Sequence, residues 1–442
     1  MHLKTQELVD VFLNADQLML KNKKNFCPAP FVHGYINANN RAHKLCCMSD
    51  IVGRFDGTKP LQETFQDFWN GEFMQETRES FMKEEFPKAC WYCKEHEAKG
   101  NTEQSQRIQL LKRYENKLDF EELELNTVTG NKHNKPLDID LRPGKLCNLK
   151  CRSCNTVWSD KIEKEVLANP EIQGKEWYWD TITTSKKQME TVNAIDWESD
   201  DFDIVSNFDL ENVKWLKMSG GETLVDKRVI KMLQRVADSG YAKGINLHLL
   251  TNGTVNPIKL QPLLEQFNKL TINTSFDGTG LLNNYLRTNS NYDKCVENFK
   301  DIFKIKNLEW QGINCVMQVT NAFSIDKWFP ELYELGKTYG GDKFKGISLL
   351  PLVDPMYLCV GWLDNDHKKL ISNKLNTLKE RYKDNDPVLS SLVTLETELT
   401  QELDTEKEKS RYVRHTNALD KIRNTNVLEL VPELRRYING MA

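Results

Sequence analysis

The pattern of hydrophobic and polar residues changes about a third of the way along the chain. From residue 137 onward, short runs rich in apolar and β-branched residues alternate with longer segments in which apolar residues recur every three or four positions. The first pattern is typical of buried strands, and the second is typical of helices that pack on them. The pattern predicts six strands, over residues 137–141, 213–218, 245–251, 270–276, 312–319 and 346–350.

Alternation of strands and helices predicts an α/β fold with a parallel sheet and right-handed crossovers. Because there are six such units rather than eight, we expect a partial (β/α)6 TIM-like barrel, whose active site lies at the carboxyl ends of the strands. The barrel is predicted to cover residues 126–355, with an insertion at about 156–212. A small N-terminal α+β module (1–125) precedes it, and a C-terminal helical extension (356–442) follows.

Three finer predictions concern the segments around the barrel. Residues 1–24 are predicted to form a helical lead-in, because apolar residues recur there at helical spacing. Residues 103–135 are predicted to form a linker that is helical at first and loop-like afterwards. His96 is interpreted as a solvated loop histidine rather than a metal ligand.

Composition and charge exclude several classes of protein. The 442 residues are 39% hydrophobic and 28% charged, which is typical of a globular protein. A formal net charge of −4 argues against general nucleic-acid binding. No apolar run approaches the ~20 residues of a membrane span, and the N-terminus lacks a signal pattern. We therefore expect a cytoplasmic protein, in which eleven cysteines indicate metal ligation rather than disulfides.

A first group of cysteines follows the first predicted strand of the barrel. Cys147, Cys151 and Cys154 fall within eight residues, and cysteine thiolates are the usual ligands of iron–sulfur clusters. A four-iron cluster held by three protein thiolates keeps one iron open to an outside molecule. Structural zinc is the alternative, although zinc sites usually have four ligands in paired spacings.

A second group of cysteines lies in the N-terminal module. Cys27, a Cys46-Cys47 pair, and Cys90 with Cys93 could together supply four thiolates. Cys47 is the preferred fourth ligand and Cys46 the alternative, since a free cysteine often behaves as a small buried hydrophobic residue. Four thiolates suit zinc as well as an iron–sulfur cluster.

Polar residues stand at the ends of three predicted strands. Gly220, Gly221 and Glu222 follow the second strand; paired glycines allow a close backbone approach, and a carboxylate can accept hydrogen bonds from an ammonium group. Asn252 follows the third strand, and Gly-Gly-Glu and Asn-Gly are also ordinary turn sequences.

The fourth strand ends in Ser275 and is followed by Asp277, and Arg287 lies a little further along the chain. Short polar side chains at strand ends are suited to binding a small molecule. Turn chemistry explains Asp277 equally well, and Arg287 could be an exposed helix arginine.

The spacing C-x3-C-x2-C resembles the signature of the radical S-adenosylmethionine superfamily, with Ser153 where an aromatic residue is common. By this resemblance, Gly220-Gly221-Glu222 corresponds to a GGEP motif that binds the amino group of the methionine moiety, with Thr223 in place of proline. Asn252, Ser275 and Asp277 would contact the ribose hydroxyls or the carboxylate of the cofactor. Arg287 is similar to an arginine that pairs with that carboxylate.

The N-terminal cysteines resemble the auxiliary-cluster module called SPASM or twitch, which lies after the radical domain in most relatives. The resemblance implies a [4Fe-4S] cluster, an auxiliary iron–sulfur cluster, S-adenosylmethionine, and an electron donor such as flavodoxin or ferredoxin. It also implies reductive cleavage of S-adenosylmethionine to a 5′-deoxyadenosyl radical that takes hydrogen from a substrate. A peptide or protein is the preferred substrate; a carbohydrate, nucleoside or other small molecule is the alternative. A non-catalytic metal-binding scaffold is the alternative outside the enzymes.

Overall fold

The computed structural model describes residues 24–37, 42–54, 61–98, 105–114, 117–129, 135–178, 208, 210–350, 352 and 354–438. Residues 1–23 of the predicted lead-in lie outside this part of the chain, as do residues 179–207 and 209 of the predicted insertion.

The strands of the described residues include all six that the sequence predicts, with ends that differ by a few residues. They are β1 (His33–Asn37), β2 (Ala42–His43), β3 (Gly53–Arg54), β4 (Asp138–Arg142), β5 (Lys150–Cys151), β6 (Trp215–Met218), β7 (Asn246–Thr251), β8 (Lys269–Ser275), β9 (Arg287–Thr288), β10 (Leu308–Val316) and β11 (Phe344–Leu350).

Helices occupy most of the remaining described chain. They are α1 (Ala29–Val32), α2 (Leu61–Trp69), α3 (Glu72–Met82), α4 (Trp91–Ala98), α5 (Gln106–Tyr114), α6 (Phe120–Thr129), α7 (Asp160–Ala168), α8 (Lys227–Asp238), α9 (Gln261–Leu264), α10 (Gly280–Leu286), α11 (Tyr292–Ile302), α12 (Val319–Ala322), α13 (Ile325–Gly340), α14 (Asn365–Arg381), α15 (Asp386–Leu399), α16 (Thr405–Arg423), α17 (Val427–Leu430) and α18 (Arg435–Ile438).

The sheet is open and mostly parallel, as expected of a partial barrel. Its strand order is β11-β10-β8-β7-β6-β4-β1-β2-β3, and β5 pairs with β9 in a separate two-stranded ladder. Seven strands of the large sheet are parallel, one more than predicted, because β1 of the N-terminal segment pairs in parallel with β4. The short β2 and β3 continue from β1 in antiparallel pairs. The α/β prediction is confirmed.

The chain divides into two compact units. The first consists of residues 1–143, 191–218 and 231–247, and the second of residues 144–190, 219–230 and 248–442. The N-terminal cysteines fall in the first unit, and the C-x3-C-x2-C loop falls in the second. The domain boundaries given above stay a prediction.

Each unit has its own apolar core. In the first, aromatic residues such as Phe26, Phe31 and Phe81 pack around Cys27 and Cys46. In the second, a larger core extends from β10 and β11 to the C-terminal helices α14 to α16. The C-terminal extension is thus helical, as predicted. No helix of the described chain combines the length and the apolar character that crossing a bilayer requires.

Two local predictions are wrong. The second half of the predicted linker is helical: α6 begins after Asp119, whose carboxylate accepts a hydrogen bond from the backbone N–H of Glu122 (3.0 Å), the usual capping arrangement. His96 is not a solvated loop residue. It is 7% exposed and lies on α4 against the ring of Tyr92, with 4.2 Å between the ring centres.

Candidate active site

The cysteine loop (residues 144–154) is held in place by the N-terminus of α7. The Asp160 carboxylate accepts a hydrogen bond from the backbone N–H of Cys147 (2.8 Å). Ser159 caps α7 by accepting from the Ile162 N–H, and its hydroxyl donates to the Leu149 carbonyl (2.9 Å). These two side chains fix the loop at its first cysteine and two residues after it.

The second and third cysteines are fixed through the backbone. Cys151 lies in β5 and pairs with Arg287 of β9, while the neighbouring Arg152 N–H donates to the Leu286 carbonyl (2.8 Å). The Cys154 N–H donates to the Cys151 carbonyl (3.1 Å), which closes a turn. The chain therefore brings Cys154 back towards the other two cysteines.

The three thiols are close enough to influence one another electrostatically. Burial raises the pKa of Cys147 to about 12, and the charge of Cys151 adds to that rise. Burial also raises the pKa of Cys154, with further rises from Cys151 and Cys147. Metal ions bind thiolates and release the thiol protons, so bound iron would supply the positive charge that this group lacks.

The side chains of the described residues contain no group of three or more His, Cys, Asp or Glu placed around one metal ion. In an iron–sulfur cube, each thiolate binds a different iron atom.

The Gly220-Gly221 pair lets the end of β6 lie directly against the cysteine loop. The Gly221 N–H donates to the Gly144 carbonyl (3.0 Å), and the Glu222 N–H donates to the Leu146 carbonyl (2.8 Å). A Cβ on Gly221 would lie 2.3 Å from the Leu146 carbonyl oxygen. Gly220 has a φ of +131°, and a Cβ there would lie 2.7 Å from the Gly144 oxygen. Both positions therefore require glycine.

The Glu222 carboxylate is buried, with 2% exposure. It accepts hydrogen bonds from the Thr251 hydroxyl (2.7 Å), the Asn252 N–H (2.5 Å) and the Leu224 N–H (3.2 Å). Burial raises its pKa, and these hydrogen bonds oppose the rise. Glu222 is thus tied to the end of β7, and Thr251 is a partner that the sequence did not identify.

Asn252 lies next to the first cysteine. Its side-chain N–H donates to the Asn148 carbonyl oxygen (2.8 Å) and lies 3.9 Å from the Cys147 sulfur. Thr254 completes this group, because its hydroxyl lies 2.8 Å from the Asn148 amide nitrogen. The structure therefore brings Asn252 to the cysteine loop, together with two partners that the sequence did not identify.

Asp277 and Arg287 form a buried ion pair beside the cysteines. The Asp277 carboxylate accepts from the Arg287 guanidinium (3.0 Å) and from the Val316 N–H (2.9 Å). Arg287 is 8% exposed, and its Nε is buried without a hydrogen-bond partner in the described chain. Burial raises the pKa of Cys151, and Arg287 opposes that rise more than any other charge. Arg287 is therefore a buried helix-end residue, not an exposed one.

Ser275 is half-buried at the end of β8, where it is aligned with Asn314 of β10. The structure thus places Ser275 at the end of its strand, as the sequence predicts.

The C-terminal helix α16 contacts the cysteine loop, which the sequence did not indicate. Arg152, between Cys151 and Ser153, donates to the Asp420 carboxylate (2.5 Å) and lies over the Tyr285 ring at 3.7 Å. Side-chain exposures of 3% for Arg152 and 14% for Asp420 make this a largely buried ion pair. No local sequence signal could have found it, since the partners are 268 residues apart.

In the first unit, four cysteines line one small cavity whose other lining residues are mostly apolar. They are Cys27, Cys46, Cys90 and Cys93. Burial raises the pKa of Cys90, and the charges of Cys46 and Cys93 raise it further.

Arg107 also lines the cavity and holds the backbone just before Cys27. Its guanidinium donates to the Phe26 carbonyl (3.0 Å) and to the Glu97 carboxylate.

Cys47, the preferred ligand from sequence, is not among the residues that line this cavity. Its sulfur lies 3.7 Å from the side-chain oxygen of Gln106. Its neighbour Cys46 is 6% exposed and belongs to the apolar core around the cavity. Adjacent residues of a turn point in different directions, so only one of the two sulfurs faces the cavity.

Comparisons of the sequence with known proteins identify no relative. No family model matches the chain, and no curated protein matches it. A crystal structure of Streptococcus suis SuiB bound to the precursor peptide SuiA aligns with a TM-score of 0.35 and 14% identity, over 60% of this chain and 51% of that one. SuiB bound to S-adenosylmethionine gives 0.34 and 14%, over 60% and 50%.

A structure of TYW1 with a lysine-pyruvate adduct gives a TM-score of 0.28 and 13% identity, over 54% of this chain and 72% of that one. This chain spans about half the length of the SuiB structures. At such values the likeness carries no functional assignment.

Proposed function

We propose that this protein is a radical S-adenosylmethionine enzyme with an auxiliary iron–sulfur cluster. The observation that carries the proposal is the contact between the Gly220-Gly221-Glu222 segment and the cysteine loop, made by two backbone hydrogen bonds that only glycine permits. Three thiols and a glycine-rich strand end that resemble one cofactor-binding family therefore lie side by side, although about 70 residues separate them in sequence.

The residues present fit a cluster and its cofactor. Cys147, Cys151 and Cys154 would hold the [4Fe-4S] cluster, since thiolates are its usual ligands. When bound, the cluster and S-adenosylmethionine supply reductive carbon–sulfur cleavage and hydrogen abstraction from a substrate. The protein's own contribution is to bind, orient and exclude water.

Two side chains are suited to the methionine end of the cofactor. The orphan Nε of buried Arg287 is a donor for a carboxylate, and charge-assisted hydrogen bonds of this kind are the strong ones. The Glu222 carboxylate has accepting capacity left for an ammonium group beyond its three protein donors. Asn252, Ser275 and Asp277 lie at neighbouring strand ends; Asp277 acts chiefly by orienting Arg287.

The auxiliary cluster would be held by Cys27, Cys46, Cys90 and Cys93, the four cysteines of the cavity in the first unit. We therefore take Cys46, rather than Cys47, as the fourth ligand. The cavity is lined mainly by apolar residues, and such a shell shields a cluster from water and sets its reduction potential.

The substrate we propose is a peptide or protein, because enzymes with the auxiliary module that this chain resembles often modify peptides. An electron donor such as flavodoxin or ferredoxin would reduce the cluster.

Cleavage of S-adenosylmethionine tests the proposal. Anaerobically reconstituted protein is reduced with dithionite and assayed for 5′-deoxyadenosine. We expect product from the parent and none from Cys151→Ala, because two thiolates do not retain the cluster. Equal product from both proteins, or none from the fully loaded parent, would refute the assignment.

A further inference from the structure

One face of β4 in the first unit is charged although the strand is buried. Side chains alternate along a strand, so Asp138, Asp140 and Arg142 share one face while Ile139 and Leu141 occupy the other. Buried parallel strands usually carry apolar residues on both faces. Three charged residues on one face therefore call for a specific reason.

At the beginning of β4 the charges are neutralised within the protein. The Asp138 carboxylate lies 3.2 Å from the His33 imidazole and also pairs with Arg113. Arg113 in turn covers the Trp215 ring at 4.5 Å. At this end of the strand, the charge of Asp138 is therefore balanced by partners within the protein.

The carboxyl end of β4 carries more positive charge. The fully buried Asp140 lies 2.8 Å from the Lys217 ammonium and 3.8 Å from the Arg142 Nε. A third cation, Lys44, lies 5.9 Å from the centre of the Tyr35 ring, and the Arg142 guanidinium lies 5.2 Å from the same ring. Two cations, Lys44 and Arg142, thus lie beside one phenol ring, and two, Lys217 and Arg142, approach the same carboxylate.

The pKa shifts show what keeps two of these cations charged. Burial acts to lower the pKa of Lys217, but the charges of Asp140 and Cys47 together give a net rise, which Arg142 opposes. Burial likewise acts to lower the pKa of Arg142, and Tyr35, Asp140 and Cys47 give a net rise.

The side chains of two of these cations are partly exposed, whereas the carboxylate is not. The side chains of Arg142 and Lys217 are 21% and 23% exposed, and that of Asp140 is 0% exposed. Asp140 can therefore neutralise the cations from their buried side, while a ligand could still approach from their exposed side. Arg142 is the last residue of β4 and Lys217 the last but one of β6, and the carboxyl ends of parallel strands are where ligands bind in α/β folds.

We propose that the cluster of Lys44, Arg142 and Lys217, with Tyr35 beside the first two and Asp140 beside the last two, is a binding site for an oxyanion, a carboxylate or phosphate group of the substrate. A guanidinium suits such groups because it donates two parallel hydrogen bonds, and an ammonium adds a point charge. This inference rests on the proposed function only in assigning the anion to the substrate.

Cys47 provides a reporter within this cluster. Its charge favours the charged forms of both Arg142 and Lys217, so its sulfur lies in their field, and it is half-buried rather than enclosed. A free thiol there can be labelled in the loaded enzyme, whereas cysteines that hold clusters are protected.

The experiment compares labelling of Cys47 by anionic iodoacetate and by neutral iodoacetamide. The anaerobic holoenzyme receives short pulses of each reagent, and mass spectrometry measures the rate at Cys47. We expect the iodoacetate-to-iodoacetamide rate ratio at Cys47 to exceed the ratio for free cysteine in the same buffer, and inorganic phosphate to suppress the iodoacetate reaction by competition. Lys217→Gln and Lys44→Gln should each lower the iodoacetate-to-iodoacetamide ratio by roughly tenfold, the lower end of electrostatic focusing effects.

Lys214→Gln is the matched control, since Lys214 is exposed just before β6 begins and should leave the ratio unchanged. If Lys217→Gln does not fold by circular dichroism, the half-buried loop residue Lys44 carries the test. The anion site is refuted if the iodoacetate-to-iodoacetamide ratio at Cys47 in the parent does not exceed that of free cysteine, if phosphate has no effect, or if Cys47 reacts with neither reagent.

A parallel 5′-deoxyadenosine assay separates this inference from the proposed function. Cleavage of S-adenosylmethionine without a preference for iodoacetate would refute the anion site alone. A preference for iodoacetate without cleavage would refute the proposed function alone.

Discussion

Replacement of Gly221 by alanine tests whether contact between the glycine segment and the cysteine loop positions the cofactor. The new Cβ would lie 2.3 Å from the Leu146 carbonyl oxygen, whereas ordinary contact begins at 3.4 Å. The strand end must therefore move away from the loop by about 1.1 Å, because the atom it meets is backbone and cannot rotate aside. A shift of about 1 Å at a reacting centre costs roughly 100-fold in rate.

The assay is kcat/KM for 5′-deoxyadenosine formation under dithionite, with iron per chain measured on the same samples. We expect Gly221→Ala to keep its iron and to lose about 100-fold in kcat/KM. Gly244→Ala is the matched control, because a Cβ at Gly244 would meet nothing within 4 Å. A Gly221→Ala enzyme within twofold of this control would show that the close contact does not position the cofactor.

Three further predictions concern the cysteine pair, the buried arginine and the C-terminal helix. Cys46→Ala should lose the auxiliary iron while Cys47→Ala keeps it, by iron analysis and absorption; the reverse result would return the ligand role to Cys47. Arg287→Met should raise the KM for S-adenosylmethionine about tenfold or more, since a hydrogen bond to a charged group contributes about 1.5–3 kcal/mol, and Arg287→Lys should recover part of it; an unchanged KM would contradict the role. Asp420→Ala should lower the free energy of unfolding by roughly 3 kcal/mol in urea titrations, because it leaves a buried arginine unpaired, whereas exposed Lys421→Ala should have no effect; equal midpoints would show that the ion pair contributes no stability.

The parallel strands could be predicted from sequence because buried strands are apolar runs with local turn signals at both ends. The third predicted strand, for example, differs from β7 by one residue at its start. The pairing of β1 with β4 could not be predicted, because about 100 residues separate the two strands and pairing leaves no local pattern. The charged residues of β4 are a further sequence signal, because polar residues within a buried strand often mark a site.

The residues of the candidate site could be predicted from sequence, but the residues that hold them in place could not. Spacing selected the three loop cysteines, whereas the Gly-Gly-Glu segment was selected by its place after the second predicted strand and by its resemblance to a GGEP motif. Asp160, which accepts the Cys147 N–H, resembles any acidic residue in the first turn of a helix. The choice between Cys46 and Cys47 required the three-dimensional structure, since the spacings of adjacent cysteines to the other candidate ligands differ by only one residue.

The central claim is that three thiolates hold a cluster whose open iron binds S-adenosylmethionine, and electron paramagnetic resonance tests it most directly. Spectra of the dithionite-reduced enzyme are recorded with and without S-adenosylmethionine for the parent, for Cys151→Ala, and for Cys359→Ala as a buried cysteine outside both groups. We predict that S-adenosylmethionine changes the cluster signal in the parent and in Cys359→Ala but not in Cys151→Ala. A parent spectrum that S-adenosylmethionine leaves unchanged, or an anaerobically prepared protein without iron, would contradict the account.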